Sequence, residues 1–176
     1  SSDLTLLPSR RAWIGYTISS IRKKNNREEH SNTWEQFMST LTYRGLELDG
    51  FQRQAIEYLQ AGHSVLVAAP TGTGKTLVAD WIVEEAMKQN KSVVYTAPIK
   101  ALSNQKYRDY CALYGEKNVG LITGDLVIRR DAPCKVMTTE ILRNMLLCED
   151  SIDDLMAVIV DEIHFLDDPD RGTTWE

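Results

Sequence analysis

Cysteine and net positive charge are both scarce in this chain of 176 residues, and each scarcity narrows what it can be. The three cysteines, Cys111, Cys134 and Cys148, are an odd number without metal-type spacing. That argues against a disulfide scaffold or a zinc module and leads us to expect an intracellular, reducing setting, the cytoplasm first, with nucleus or organelle left open. No run of about 18 apolar residues occurs, so no segment reads as a membrane-spanning helix. Ser1 to Arg11 lack the basic start and apolar stretch of a secretory signal. Lys and Arg number 20 against 25 Asp and Glu, a formal charge of −5. Bulk attraction therefore cannot hold a polyanion, and any such contact has to be local. Internal repeats and low-complexity stretches are also missing.

An apolar content of 43% is enough for one sizeable core. The most informative stretch follows the apolar run Val65-Leu66-Val67-Ala68: it reads Ala69-Pro70-Thr71-Gly72-Thr73-Gly74-Lys75-Thr76, and a helix-like segment from Leu77 to Met87 comes next. Strand, tight glycine turn and helix, in that order, are what a phosphate-binding loop requires. Gly72 and Gly74 allow a turn whose amide N–H groups converge, Lys75 adds a point charge, and the Thr76 hydroxyl can take a magnesium ion. The positive end of the following helix faces the same spot. Ala69 stands where G-x-x-x-x-G-K-[ST] usually has its first glycine.

The rest of the chain supports an α/β fold. Thr33-Trp34-Glu35-Gln36 reads as a capping box, and Trp34, Phe37, Met38 and Leu41 give one apolar helical face. Residues 1–45 are therefore expected to be an extension with one amphipathic helix. The basic run Arg22 to Arg27 reads as a solvated loop. Residues 46–176 should form the main unit, with a turn-like linker from Gly45 to Gly50 and a helix from Phe51 to Gln60. Strands are expected at 65–68, 92–97, 119–123, 135–138 and 157–161, with helical patterns between them. Such alternation predicts a mainly parallel sheet with helices on both faces and ligands at the carboxyl ends of the strands. Arg129 and Arg130 read as surface arginines.

The strand-like run Val158-Ile159-Val160 ends in Asp161-Glu162-Ile163-His164. Phosphoryl transfer needs a carboxylate to hold magnesium against the phosphates and a second group to orient the attacking water. Asp161, through a bound water, suits the first role and Glu162 the second, so Lys75, Asp161 and Glu162 are the catalytic candidates. Pro98 to Lys100, Gly124 to Asp125 and Thr138 to Glu140 each sit where a strand gives way to a helix or turn. Amides and hydroxyls at such points can bind phosphates without reading bases.

As an ordered set these motifs resemble the DExH-box superfamily-two RNA helicases, in their superkiller and exosome-associated branch. The segments carrying the resemblance are Ala68 to Thr76, Thr96 to Tyr107, Gly120 to Asp125, Thr138 to Met145, Asp161 to His164, and Arg171-Gly172-Thr173-Thr174-Trp175-Glu176. Phe51-Gln52-Arg53-Gln54-Ala55-Ile56 is similar to the family's adenine-side motif, which implies that Gln52 reads the adenine edge with Phe51 packed near it. The resemblance implies a RecA-like P-loop domain with ATP and Mg2+ as cofactors. Pro70, Thr71, Gly72, Thr73, Gly74, Lys75 and Thr76 would cradle the nucleotide, and Thr76 and Asp161 would hold the metal. A nucleic-acid row would comprise Pro98, Ile99, Lys100, Gly124, Asp125, Thr138, Thr139 and Glu140. The implied partners are single-stranded RNA and a second RecA-like domain, with no membrane. Relatives continue past the acidic motif with a strand that lies between the phosphate-loop and acidic strands. A fragment of a longer protein, with that position empty and negligible ATP hydrolysis on its own, is the expectation here. The rival readings are a DNA helicase or translocase, a non-catalytic nucleotide-gated nucleic-acid-binding module, and a metabolite kinase. The kinase is disfavoured by the Asp-Glu-x-His order.

Overall fold

The computed structural model describes residues 12–16 through their backbone and residues 42–70, 72–147 and 154–163 in full. The helix expected near Trp34, the run Arg22 to Arg27, Thr71, Cys148, His164 and Arg171 to Glu176 lie outside the described residues. In chain order the elements are β1 (Ala12–Tyr16), β2 (Thr42–Tyr43), β3 (Leu46–Glu47), α1 (Gly50–Gln60), β4 (Val65–Val67), α2 (Thr76–Lys88), β5 (Ser92–Ala97), α3 (Lys100–Tyr114), a 3-10 turn (Glu116–Asn118), β6 (Val119–Ile122), β7 (Val127–Ile128), β8 (Cys134–Thr138), α4 (Thr139–Leu147) and β9 (Leu155–Val160). None of these helices is long and apolar enough to cross a membrane.

One sheet runs β4-β1-β9-β5-β8-β6-β7, parallel except for the antiparallel pair β6 and β7. Side chains alternate across it, as a pleat demands. Val93, Tyr95, Ala97, Ala157 and Ile159 face a core closed by α1, α2 and α3, where Ile56, Val78, Ile82, Val83 and Tyr110 are buried. Val94, Val158 and Val160 face the other way and pack with Leu142 of α4. Strands buried on both faces read as continuous apolar runs, which is why β5 and β9 show little alternation in sequence.

The centre of the sheet departs from expectation. The position between β4 and β9, expected to be empty, is filled by β1: Gly15 lies opposite Leu66 on one side and Val160 on the other. Five of the residues assigned to a separate extension thus belong to the main sheet. Ala12–Tyr16 has no periodicity of its own and is specified by two distant partners, a signal that local pattern does not carry.

The boundary expected at 45/46 falls inside the hairpin of β2 and β3, whose turn holds Arg44 at φ +52° and Gly45 at +75°. Arg44 ties this hairpin to α2 and α3. Its guanidinium donates to Glu84 Oε1 at 2.5 and 2.8 Å, to Asp80 Oδ2 at 3.3 Å and to the Tyr114 hydroxyl at 3.0 Å, and it lies 5.2 Å from the Tyr43 ring centroid. Asp80 is buried, and that burial raises its carboxyl above the usual range, against the opposing pull of Lys106 and Arg44. A raised acid pKa means that the folded state binds the proton more tightly, so the penalty is complete above the folded pKa and fades as pH falls through it. Arg44→Ala should therefore cost about 2 kcal/mol at neutral pH. As pH falls through the raised pKa of Asp80, the cost should shrink. Urea unfolding at two pH values measures both; an equal cost at each would refute the pairing.

Candidate nucleotide and nucleic-acid site

Because six of the seven strands are parallel, their carboxyl ends share one edge, and the candidate residues are strung along it. Leu66 and Val160 stand level across Gly15, so the phosphate loop and Asp161 leave the sheet side by side, about 10 Å apart at the usual strand spacing. Next along the edge comes β5 with Pro98 to Lys100, then β8 with Thr138 to Glu140, then β6 with Gly124 and Asp125.

The phosphate loop is braced from within. Gly72 and Gly74 have φ of +83° and +76°, conformations that side chains rarely tolerate. Thr73 Oγ1 donates to the Pro70 carbonyl at 2.8 Å. The Lys75 ammonium bonds to the carbonyls of Ala69 and Pro70, so its charge sits at the mouth of the loop. Thr76 is exposed at the start of α2. The Gln52 amide is committed to the backbone. Its oxygen accepts from the Asp49 N–H at 2.8 Å, and its nitrogen donates to the Gly74 carbonyl at 2.9 Å. Only 2% of Gln52 is exposed, and a Cβ on Gly74 would lie 2.6 Å from its nitrogen. The residue that the resemblance assigns to the adenine edge here clamps α1 to the phosphate loop, with Phe51 half-buried beside it on the core.

Asp161 continues the β9 ladder, its N–H donating to the Thr96 carbonyl at 3.0 Å. Glu162 then takes a left-handed φ of +55°, uncommon for a non-glycine residue and frequent at functional sites. This turn sends its N–H back to Asp161 Oδ1 at 2.9 Å. Asp161 Oδ2 accepts from the hydroxyl of Tyr95. Tyr95 was not singled out from the sequence. The available signal was register: Tyr95 lies opposite Ile159, so it shares the face to which Asp161 returns two residues later.

Two of the three remaining segments meet, and the third is tied to the end of β5. Lys100 at the start of α3 pairs with Asp125 at 2.9 Å, and Asp125 also accepts from Thr123 Oγ1 at 3.0 Å. Lys100 holds the Asp125 carboxyl below the usual range, with Thr123 assisting. Pro98 and Ile99 are half-buried, and Gly124 and Glu140 are exposed. Thr138 and Thr139 are buried, and the Thr139 hydroxyl points to the Ala97 carbonyl at 3.5 Å. These two threonines therefore knit β8 to the end of β5, and what faces outward there is the first turn of α4. Arg129, expected at the surface, is bonded to Glu116 at 3.1 Å and to the Tyr107 hydroxyl at 3.1 Å.

A parallel sheet with a phosphate loop at one strand end and an acid pair two strands away is the arrangement of a P-loop nucleotide-binding domain of the RecA type. The family model described as DEAD/DEAH box helicase matches residues 49–176, and the chain belongs to that family. It is 51% identical over 131 residues to the antiviral helicase SKI2 of Saccharomyces cerevisiae, covering 74% of this chain and 10% of that protein. It is 43% identical over 183 residues to the DExH-box ATP-dependent RNA helicase DExH11 of Arabidopsis thaliana, covering 100% of this chain and 13% of that protein. Similarity therefore runs to the superkiller branch, as the motifs imply, and the chain spans only about a tenth of the length of these relatives. Among solved structures, a DUF1998 helicase, MrfA, bound to DNA and AMPPNP superposes with a TM-score of 0.59 at 23% identity, covering 67% of this chain and 19% of that one. The last likeness speaks for the fold.

Proposed function

We propose that this chain is the ATP-binding motor domain of an RNA helicase, and that it works with a second RecA-like domain to move along single-stranded RNA. The observation that carries this reading is the order along the carboxyl edge: phosphate loop, acid pair, then three phosphate-contact segments on consecutive strands. Lys75 and the loop amides bind the nucleotide phosphates. The Thr76 hydroxyl, directly, and the Asp161 carboxylate, through a bound water, are the hard oxygen groups that would hold Mg2+ alongside substrate phosphates. When bound, the ion neutralises phosphate charge. Glu162 orients or deprotonates the attacking water. RNA is favoured over DNA because the plant relative is named as an RNA helicase. The same proposal includes an intracellular setting. Cys111 and Cys134 are free thiols, and burial pushes the Cys134 thiol up to about 12.

Alone, this chain should hydrolyse ATP negligibly, because the transition-state arginine supplied by a second unit can be worth about a thousandfold. Direct binding tests the nucleic-acid half of the proposal, with labelled single strands of RNA and DNA competing for the chain. Lys100→Ala is expected to weaken RNA binding irrespective of sequence and to lower the salt slope by about one phosphate contact. Asp125→Asn should act oppositely, since it frees Lys100 from its ion pair. Unchanged binding in both variants would remove this edge from the RNA path.

A further inference from the structure

We propose that Tyr95 is a positioning residue for Asp161, holding the carboxylate in the orientation from which it engages the metal; this rests on the motor reading above. Tyr95 is 3% exposed, so its hydroxyl turns to protein, and Asp161 Oδ2 receives its hydrogen bond. With the Glu162 N–H on Oδ1, both carboxylate oxygens are anchored from below, one by a side chain and one by the backbone. Each oxygen keeps a further lone-pair site for a ligand. Two such anchors remove the rotation that an aspartate at a strand end otherwise has. Carboxylates that hold metals depend on outer hydrogen bonds of this sort.

The ring of Tyr95 is itself fixed. Tyr110 meets it edge to face, with centroids 5.5 Å apart and planes at 84°, and the Lys106 ammonium lies 5.0 Å from the Tyr95 centroid and 4.5 Å from that of Tyr110. A cation on the face of a phenol draws electron density from the ring and strengthens the hydroxyl as a donor. The backbone agrees with the side chain: Asp161 and Thr96 are hydrogen-bonded directly beside Tyr95. One of the two anchors of Asp161 thus comes from β5, the strand that runs directly on into the Pro98 to Lys100 segment.

Tyr95→Phe keeps the ring, its packing on Tyr110 and its contact with Lys106, and removes only the hydroxyl. The experiment uses the full chain and a fluorescent ATP analogue, titrated with Mg2+ and, separately, in EDTA. The Mg2+ concentration for half-maximal binding is expected to rise about tenfold, the low end for loss of an outer-shell partner. Binding in EDTA and the melting temperature should stay close to wild type. Asp161→Asn serves as the reference variant. If Asp161→Asn moves the Mg2+ midpoint and Tyr95→Phe does not, the positioning role is wrong. An equal loss with and without Mg2+ in Tyr95→Phe would mean a general structural role and would likewise overturn it. If neither variant moves the midpoint, the metal-site reading itself fails and takes this inference with it.

Discussion

Glu162→Gln is expected to bind ATP as well as wild type while turnover falls by about a hundredfold or more, the range for removing a positioned general base. The amide keeps the size and hydrogen-bonding reach of the acid but cannot accept a proton from water. Neither ATP affinity nor Mg2+ affinity should change much, because the loop and Asp161 are anchored by other groups: Gln52 on Gly74, and Tyr95 and the Glu162 N–H on Asp161. That N–H belongs to the backbone and survives the substitution. Phosphate release, followed with a second RecA-like unit and RNA present, should collapse, while nucleotide-binding fluorescence should not. Turnover within a few-fold of wild type would take the water-orienting role away from Glu162.

Gly120→Ala is the substitution with the largest expected effect on stability. A Cβ at this β6 position would lie 2.3 Å from the Arg129 carbonyl oxygen and 3.0 Å from that of Ile128. Both obstacles are backbone, so no rotamer change relieves them, and the turn from β6 to β7 must open. Opening would strain the Thr123 to Leu126 hydrogen bond and draw Arg129 away from Glu116 and Tyr107. We expect a loss of about 3 kcal/mol, as for severe overpacking. The corresponding fall in melting temperature is about 10 °C for a chain of this size. Thermal unfolding followed by circular dichroism reads it directly, and an unchanged melting temperature would show that the hairpin yields freely. Because Asp125 sits in that turn, RNA binding should change as well.

The strand, glycine turn and helix of the candidate phosphate loop were legible in the residues because they are local. Strand, glycine turn and helix fall within about a dozen positions, and β5 runs from Ser92 to Ala97 as its pattern predicts. The acid pair was legible for a similar reason, as the end of an apolar run. What escaped was every feature set by pairing across the sheet. β7 is two residues long and exists because β6 accepts it. The β2–β3 hairpin was split between the extension and a linker from Gly45 to Gly50 because arginine at position 44 does not announce a left-handed turn. For Gln52, which the resemblance places at the adenine edge, the bonds to Asp49 and Gly74 depend on how α1 lies against the loop. Thr138 ends the interior strand β8 and Thr139 opens α4, so both of these candidates for phosphate contact are buried, and sequence does not reveal strand order.

The place of β1 has a consequence for how the site comes into being. Ala12 is laid opposite Ala157, so the first of the described strands finds one of its two neighbours only once the last described strand has been made. Contacts this distant in sequence are slow to form, since a long loop must close before they repay its entropy. Until that happens the phosphate loop and the acid pair have no common neighbour to fix their spacing. On the motor reading, nucleotide affinity should therefore appear late in refolding, with the pairing of β1 to β9, and stopped-flow refolding in the presence of a fluorescent ATP analogue measures that lag.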